Sequence, residues 1–257
     1  MNIYQHFRPA EREIIDQVLQ WKNQVETMYA PKLTDFLDPR EQFILKALVG
    51  ENGDIRTELS GGPSFAERKR ALLLPDYAIF EPEDFQIRLI EVQYPAKFVT
   101  VEHPHVLGSL MSLGLKRGKF GDILARDDRI QFLCAAEVAD FVKMNLESIG
   151  KASVSLREVP IDGAIEPAES WSEVATTVSS LRLDAVLAAI HNLSRQKSQL
   201  MIQQGLVKVN WTEIASPSFE CGEADMISVK GYGRARLNSI EGKTKKEKWR
   251  ILVGKQK

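Results

Sequence analysis

The sequence predicts an α+β chain in three parts: N-terminal helices, a central sandwich of strands and two helices, and a C-terminal helix pair followed by strands. Three observations carry this reading. Apolar residues recur at helical spacing in the first 50 residues. Between 72 and 160, strand-like runs alternate with two helical ones in the order β-β-α-β-β-α-β. Charge then divides unevenly: residues 181–257 hold 14 Lys/Arg against 7 Asp/Glu, a net of +7, whereas residues 1–180 carry a net of −8.

The N-terminal helical region is expected over 1–71. A helix spans 9–28, with Pro9 at its first turn and Ile14, Ile15, Val18, Leu19 and Val25 on one face. Asp38 and Pro39 form an N-cap and N1 pair for a second helix. Its Phe43, Ile44, Ala47 and Leu48 face inward, and Gly50 and Asn52-Gly53 end it. Ser64 and Glu67 make a capping box for a third, short helix carrying Arg68, Lys69 and Arg70.

The central domain is expected over 72–160. LLLPDYAIF, IRLIEVQY, DIL, RIQFLCA and VSLREV read as strands. His103–Leu115 and Glu137–Ile149 read as helices, and Gly118 to Gly121 make a bend. The order resembles ferredoxin-like or RNA-recognition topology, although the aromatic RNP signature is not present. Residues 161–180 read as a linker, because the stretch PIDGAIEPAESWSE is rich in Pro, Gly and acids. Helices then run from Leu181 to His191 and from Ser194 to the stop at Gly205, the second with Leu200 and Ile202 inside. LVKVNW, ISVKGYGRARL and, within the Lys-rich end, WRILV read as strands.

Several function classes lack support. There is no GxGxxG after a strand, no P-loop, no HExxH and no GxSxG, so no catalytic residues and no cofactor are assigned. Glu102, His103 and His105 form a loop pair without a third imidazole nearby and read as a helix start, so no metal is assigned. Cys134 and Cys221 are too far apart for a CxxC site and fit a reducing cytoplasm. No run of 18 apolar residues suggests a membrane partner, and the opening MNIYQHFRPAERE has no secretory pattern.

The basic C-terminal segment is different. A basic module on an acidic body is the footprint of a polyanion binder. Arg182 and Asp184 stand at i, i+2 near a helix start, where the acid suits the dipole and can hold an arginine in one pose. Ser194 is a natural N-cap, and Arg195 and Lys197 fall in the following first turn. Asn210 sits at a hairpin turn. Lys208 and Lys230 lie in the strand-like runs, Gly231 and Gly233 allow backbone to approach RNA closely with Arg234 adding charge, and Lys245 and Lys246 lie in the tail.

Read as one ordered run, these residues resemble the S4 RNA-binding domain over most of 181–235. The expected RNA-binding set is Arg182, Asp184, Ser194, Arg195, Lys197, Lys208, Asn210, Lys230, Arg234, Lys245 and Lys246. Lys197-Ser198 departs from the small residue many members carry. Leu181-Arg182-Leu183-Asp184 echoes a pseudouridine synthase motif, but too few residues follow Arg236 to form that catalytic domain. Upstream, Ile3 to Arg8, Leu107-Gly108, Leu113 to Arg117, Phe120 to Ile123 and Gly242 to Lys246 are similar to the YlmH family. That resemblance implies a non-enzymatic bacterial RNA-binding protein with a central RNA-recognition-like domain and a C-terminal S4 (alpha-L) domain over 181–257. It implies binding to the large ribosomal subunit, through rRNA and peptidyl-tRNA, in ribosome-associated quality control alongside other factors on stalled subunits. The family's gene context adds a link to cell division.

Lys116, Arg117 and Lys119 form a local basic loop that either makes a second RNA contact or stands solvated. The competing reading is an RNA-modifying enzyme, with catalysis in the central domain near the Gly121-Asp122-Ile123 bend and guidance by the S4 module. A third is a protein-interaction adaptor whose RNA contact is incidental.

Overall fold

The computed structural model describes residues 3–50, 53–166 and 171–256, without the side chains of Ile3 and His6. The expected stop at Asn52, the tail's Lys257 and part of the expected linker (167–170) lie outside them. The chain divides into two compact units, Met1–Ala168 and Glu169–Lys257.

The first unit opens with helix α1 (Arg12–Met28), strand β1 (Lys32–Leu37) and helix α2 (Pro39–Val49). Asp38 caps α2 by accepting from the Glu41 backbone N–H at 2.9 Å, while the Glu41 carboxylate accepts from the Asp38 N–H at 2.7 Å. Strands β2 (Ile55–Ser60) and β3 (Lys69–Pro75) complete an antiparallel sheet of order β1-β3-β2. Ile15, Val18, Trp21 and Val25 of α1 bury against Ile44, Leu45 and Leu48 of α2 and against Ala71 and Leu73 of β3. Leu45 and Val49, rather than the exposed Ala47, complete the inner face of α2.

Three expectations are corrected here. The N-terminal region is not helical alone; its helices rest on a sheet. LLLP belongs to β3, the middle strand of that sheet, so an element crosses the expected boundary at 71/72. No helix follows Ser64: Asp122 accepts the Glu67 and Arg68 backbone N–H groups at 2.6 and 3.1 Å and fixes a turn instead. Arg68 and Arg70 are buried, donating to the Phe36 and Thr34 carbonyls.

The rest of this unit is strand β4 (Ile87–Gln93), helix α3 (His103–Ser112), strands β5 (Phe120–Arg126) and β6 (Arg129–Ala135), helix α4 (Ala136–Asn145), the short strands β7 (Ser148–Ile149) and β8 (Ala152–Ser153), and β9 (Ser155–Val159). The four longer strands form a sheet of order β5-β6-β4-β9, antiparallel throughout. Strand–helix–strand–strand–helix–strand in that order is ferredoxin-like topology. Its core holds Leu89, Ile90, Phe132 and Leu133 with Val106 and Leu110 of α3 and Val142 of α4, and takes in Phe36 from β1. Gly121 is required there: a Cβ would stand 2.8 Å from the Phe36 ring and 2.9 Å from Leu133.

The second unit begins with strand β10 (Trp171–Val178), which corrects the expected linker over those residues. Val178 is buried, and the strand pairs along its whole length with a distant partner near the C-terminus, so composition alone hid it. Helices α5 (Leu183–His191) and α6 (Arg195–Gln203) follow, then strands β11 (Val207–Val209), β12 (Thr212–Glu213), β13 (Met226–Val229), β14 (Gly233–Lys243) and β15 (Trp249–Gln256). They form one antiparallel sheet of order β10-β15-β14-β13-β11-β12. Leu183, Val186 and Leu187 of α5 and Ile202 of α6 bury against Val207, Ile227, Leu237, Ile251 and Val253. Leu200, expected inside, is exposed, and Met201 takes the inner position. Among the described residues, no helix is long and apolar enough to cross a membrane.

Candidate nucleic-acid interface

The site is built on the start of α5. The Leu183 and Asp184 N–H groups, left without intrahelical partners, donate to the Phe219 and Pro217 carbonyls at 2.8 and 3.1 Å. This seats Asp184 in the first turn with its side chain wholly buried. Arg182 lies across it as a fork, Nε to Oδ1 at 3.1 Å and Nη2 to Oδ2 at 3.0 Å. Arg195, from the first turn of α6, makes a second fork at 3.1 and 3.4 Å. Gln199 adds a third donor at 2.7 Å. Burial alone pushes the Asp184 pKa up, but the bonds from Arg182, Gln199 and Arg195 outweigh it and hold the carboxyl well below the usual carboxylate range.

The two arginines keep 41% and 51% of their side chains exposed, against 0% for Asp184. A buried anion therefore anchors two cations whose outer edges face solvent. An exposed guanidinium already fixed in pose loses little entropy on meeting a phosphate. Ser194 caps α6 by accepting from the Lys197 N–H at 3.2 Å. The Lys197 ammonium stands 5.6 Å from the Tyr232 ring centroid, and that ring packs edge-on to His191 at 5.3 Å. Arg182, Arg195, Lys197 and the Lys230–Gly233 turn thus belong to one cationic corner. Gly231 and Gly233 adopt φ of 82° and 85°, the left-handed region that suits glycine.

Other expected residues stand elsewhere. Asn210 is consumed by the fold: in a turn with φ of 48°, its amide donates to Asp225 and its carbonyl oxygen accepts from the Met226 N–H, both at 2.9 Å. Asp184 and Ser194 act on neighbouring residues of the chain rather than on the surface. Lys208 and Arg234 alternate with the core-facing Val207, Val209 and Ala235, so they lie on the sheet face turned away from the helices. Lys245 and Lys246 are exposed at the tip of the β14–β15 hairpin. Gln199 was missed; its signal is the i, i+4 spacing from Arg195, which stacks both over Asp184.

The basic loop of the first unit meets carbonyls and carboxylates of its own fold. Arg117 turns inward to the Phe120 and Gly121 carbonyls, and burial, with Arg68 nearby, pushes its pKa down to about 10. Lys119 is held by Asp35 at 2.6 Å and Glu137 at 2.9 Å. Lys116 is the exposed cation of the three. Asp122, the acid of the bend, is occupied by the two backbone N–H groups described above. His105 Nδ1 accepts from the Glu102 N–H at 3.2 Å, a helix-start contact. Among the described residues, no group of three or more His, Cys, Asp or Glu side chains is placed to hold a metal ion.

Comparison with known proteins adds to this geometry. Residues 81–163 match the family model described as "Putative RNA-binding domain in YlmH", and residues 181–227 match that of the S4 domain. The chain is 50% identical to the "Ribosome-associated protein quality control protein P2" of Bacillus subtilis (strain 168), over all of this chain and 99% of that protein. A solved structure, "Cell division protein ylmH from Streptococcus pneumoniae", is 37% identical with a TM-score of 0.56, covering 64% of this chain and all of that one.

Proposed function

The chain belongs to the YlmH family, and from that premise we propose that it is an RNA-binding protein of ribosome-associated quality control. It sits on the large ribosomal subunit, contacts rRNA and peptidyl-tRNA, and supports the handling of stalled nascent chains in the cytoplasm. It works by binding and performs no catalysis of its own. The observation that carries this is Asp184 anchoring Arg182 and Arg195 at the surface. Two preset guanidinium forks suit the paired oxygens of phosphate groups. Folded RNA hides its base edges in a deep, narrow groove, so shape and backbone contacts of this kind suit it. The full-length identity to a protein named for ribosome-associated quality control supports the same reading.

Co-sedimentation tests it. Wild type should travel with large subunits in a sucrose gradient and come off as salt rises. An Arg182→Ala/Arg195→Glu variant should stay at the top. Wild type remaining at the top at low salt would overturn the ribosomal reading.

A further inference from the structure

The strand register of the C-terminal unit defines a second surface. Residues directly paired across antiparallel strands point to the same face. Lys208 pairs with Ser228, Ser228 with Arg234, Met226 with Arg236, Arg236 with Gly254, and Arg250 with Thr177. These residues alternate with Val207, Ile227, Ala235, Leu237, Ile251 and Val253, which bury against α5 and α6. Lys208, Arg234, Arg236 and Arg250 therefore share the face opposite the helices. Among the described residues, the acids on this face include Glu173, which accepts from Asn238 at 2.8 Å, Glu213, folded against Gly205, and the exposed Glu241, which follows the core-facing Ile240.

The centre of this face is organised. Gly254 leaves a dip: a Cβ there would meet Trp171 and Asn238 at 3.4 Å. Trp171 reaches across it, with the Arg234 and Arg236 guanidiniums 5.6 and 5.8 Å from its ring centroid. Arg236 is further fixed by donating to Asn238 Oδ1 at 2.9 Å. Cation–π contact and a hydrogen bond restrain two arginines side by side on a half-exposed surface, which lowers the entropy lost when they meet an anion. Trp171, Arg234, Arg236 and Arg250 all lie outside the S4 match at 181–227.

We infer that this sheet face is a second RNA-backbone surface, centred on Arg234 and Arg236 against Trp171, so that the C-terminal unit holds two RNA segments at once. The inference rests on the RNA-binding reading proposed above. The Asp184-anchored arginines lie on the helix side of the hydrophobic core and Arg234 and Arg236 on the outer face of the sheet, so each pair can meet its own RNA segment. Two restrained arginines with flanking cations complement consecutive phosphates.

The test uses the full chain and a short RNA hairpin, with stoichiometry read by native mass spectrometry. Wild type should take two hairpins. Arg236→Gln/Arg250→Gln should take one, and the salt slope of its affinity should fall by about 0.7 to 0.9 for each phosphate left without its cation. Lys208→Gln, on a different strand with an exposed side chain, is the second variant and should also reduce the slope. One hairpin on wild type, unchanged in both sheet-face variants but absent in Arg195→Glu, would overturn the inference and leave the RNA-binding reading standing. No complex with any form would overturn both.

Discussion

Gln199 and Arg182 converge on one atom: Oδ2 of Asp184 accepts from Gln199 Nε2 at 2.7 Å and from Arg182 Nη2 at 3.0 Å. Arg195 Nε joins them at 3.1 Å. Three donors around one buried carboxylate, two of them from α6, make a rigid corner.

This predicts an effect with a counterintuitive sign. Asp184→Asn removes a negative charge from a polyanion-binding unit, and long-range electrostatics alone would tighten RNA binding. Because the carboxylate positions the arginines, binding should weaken about fivefold, the equivalent of roughly 1 kcal/mol of charge-assisted bonding. Stability should fall by about 2 kcal/mol, less than for a fully buried pair because the arginines are half exposed. Filter binding and denaturant melts check the two numbers.

Acid should loosen the same unit through His191. Burial, with Lys255 nearby, pushes its pKa down to about 4, while the unfolded chain titrates near 6.5. Between those values the unfolded state binds more protons, so stability is full above about pH 6.5 and declines as pH falls toward 4. His191→Phe, keeping an aromatic edge against Tyr232, should flatten that limb in thermal melts across the acid range.

Arg117 separates a structural role from an RNA contact. Its guanidinium serves the Phe120 and Gly121 carbonyls. Arg117→Ala should therefore destabilise the first unit by about 1–3 kcal/mol and leave RNA affinity unchanged. Urea melts and RNA titration on one preparation decide it.

The hairpin tip should act through charge alone. Lys245 and Lys246 are exposed, so Lys245→Gln/Lys246→Gln should lower the salt slope by about 0.7 to 0.9 for each phosphate that the wild-type lysines neutralise. Thermal stability should not move.

Local chemistry was legible in the sequence where the cause was local. The Asp38 cap, the Ser194 cap and the Asn210 turn all arise from residues within a few positions of one another. The ferredoxin-like order also followed, because β4, α3, β5, β6, α4 and β9 each carry their own periodicity. What misled was long-range. The capping box at Ser64 and Glu67 yielded to Asp122, 55 residues away from Glu67, which takes the same backbone donors. The acidic, proline-bearing stretch before Leu181 hid β10, whose pairing with β15 spans the C-terminal unit. In the candidate site, the Arg182–Asp184 pair was readable from i, i+2 spacing, as was the Arg195 turn. The division of the cations between two faces needed the strand register, which no local window contains.

We propose that this chain grips ribosomal RNA through the Asp184-anchored arginines. Ultraviolet cross-linking in cells, with sequencing of the bound RNA, tests it most directly. Wild type should enrich large-subunit rRNA and tRNA, and Arg182→Ala/Arg195→Glu should lose both. Equal recovery of those RNAs from wild type and variant would contradict it.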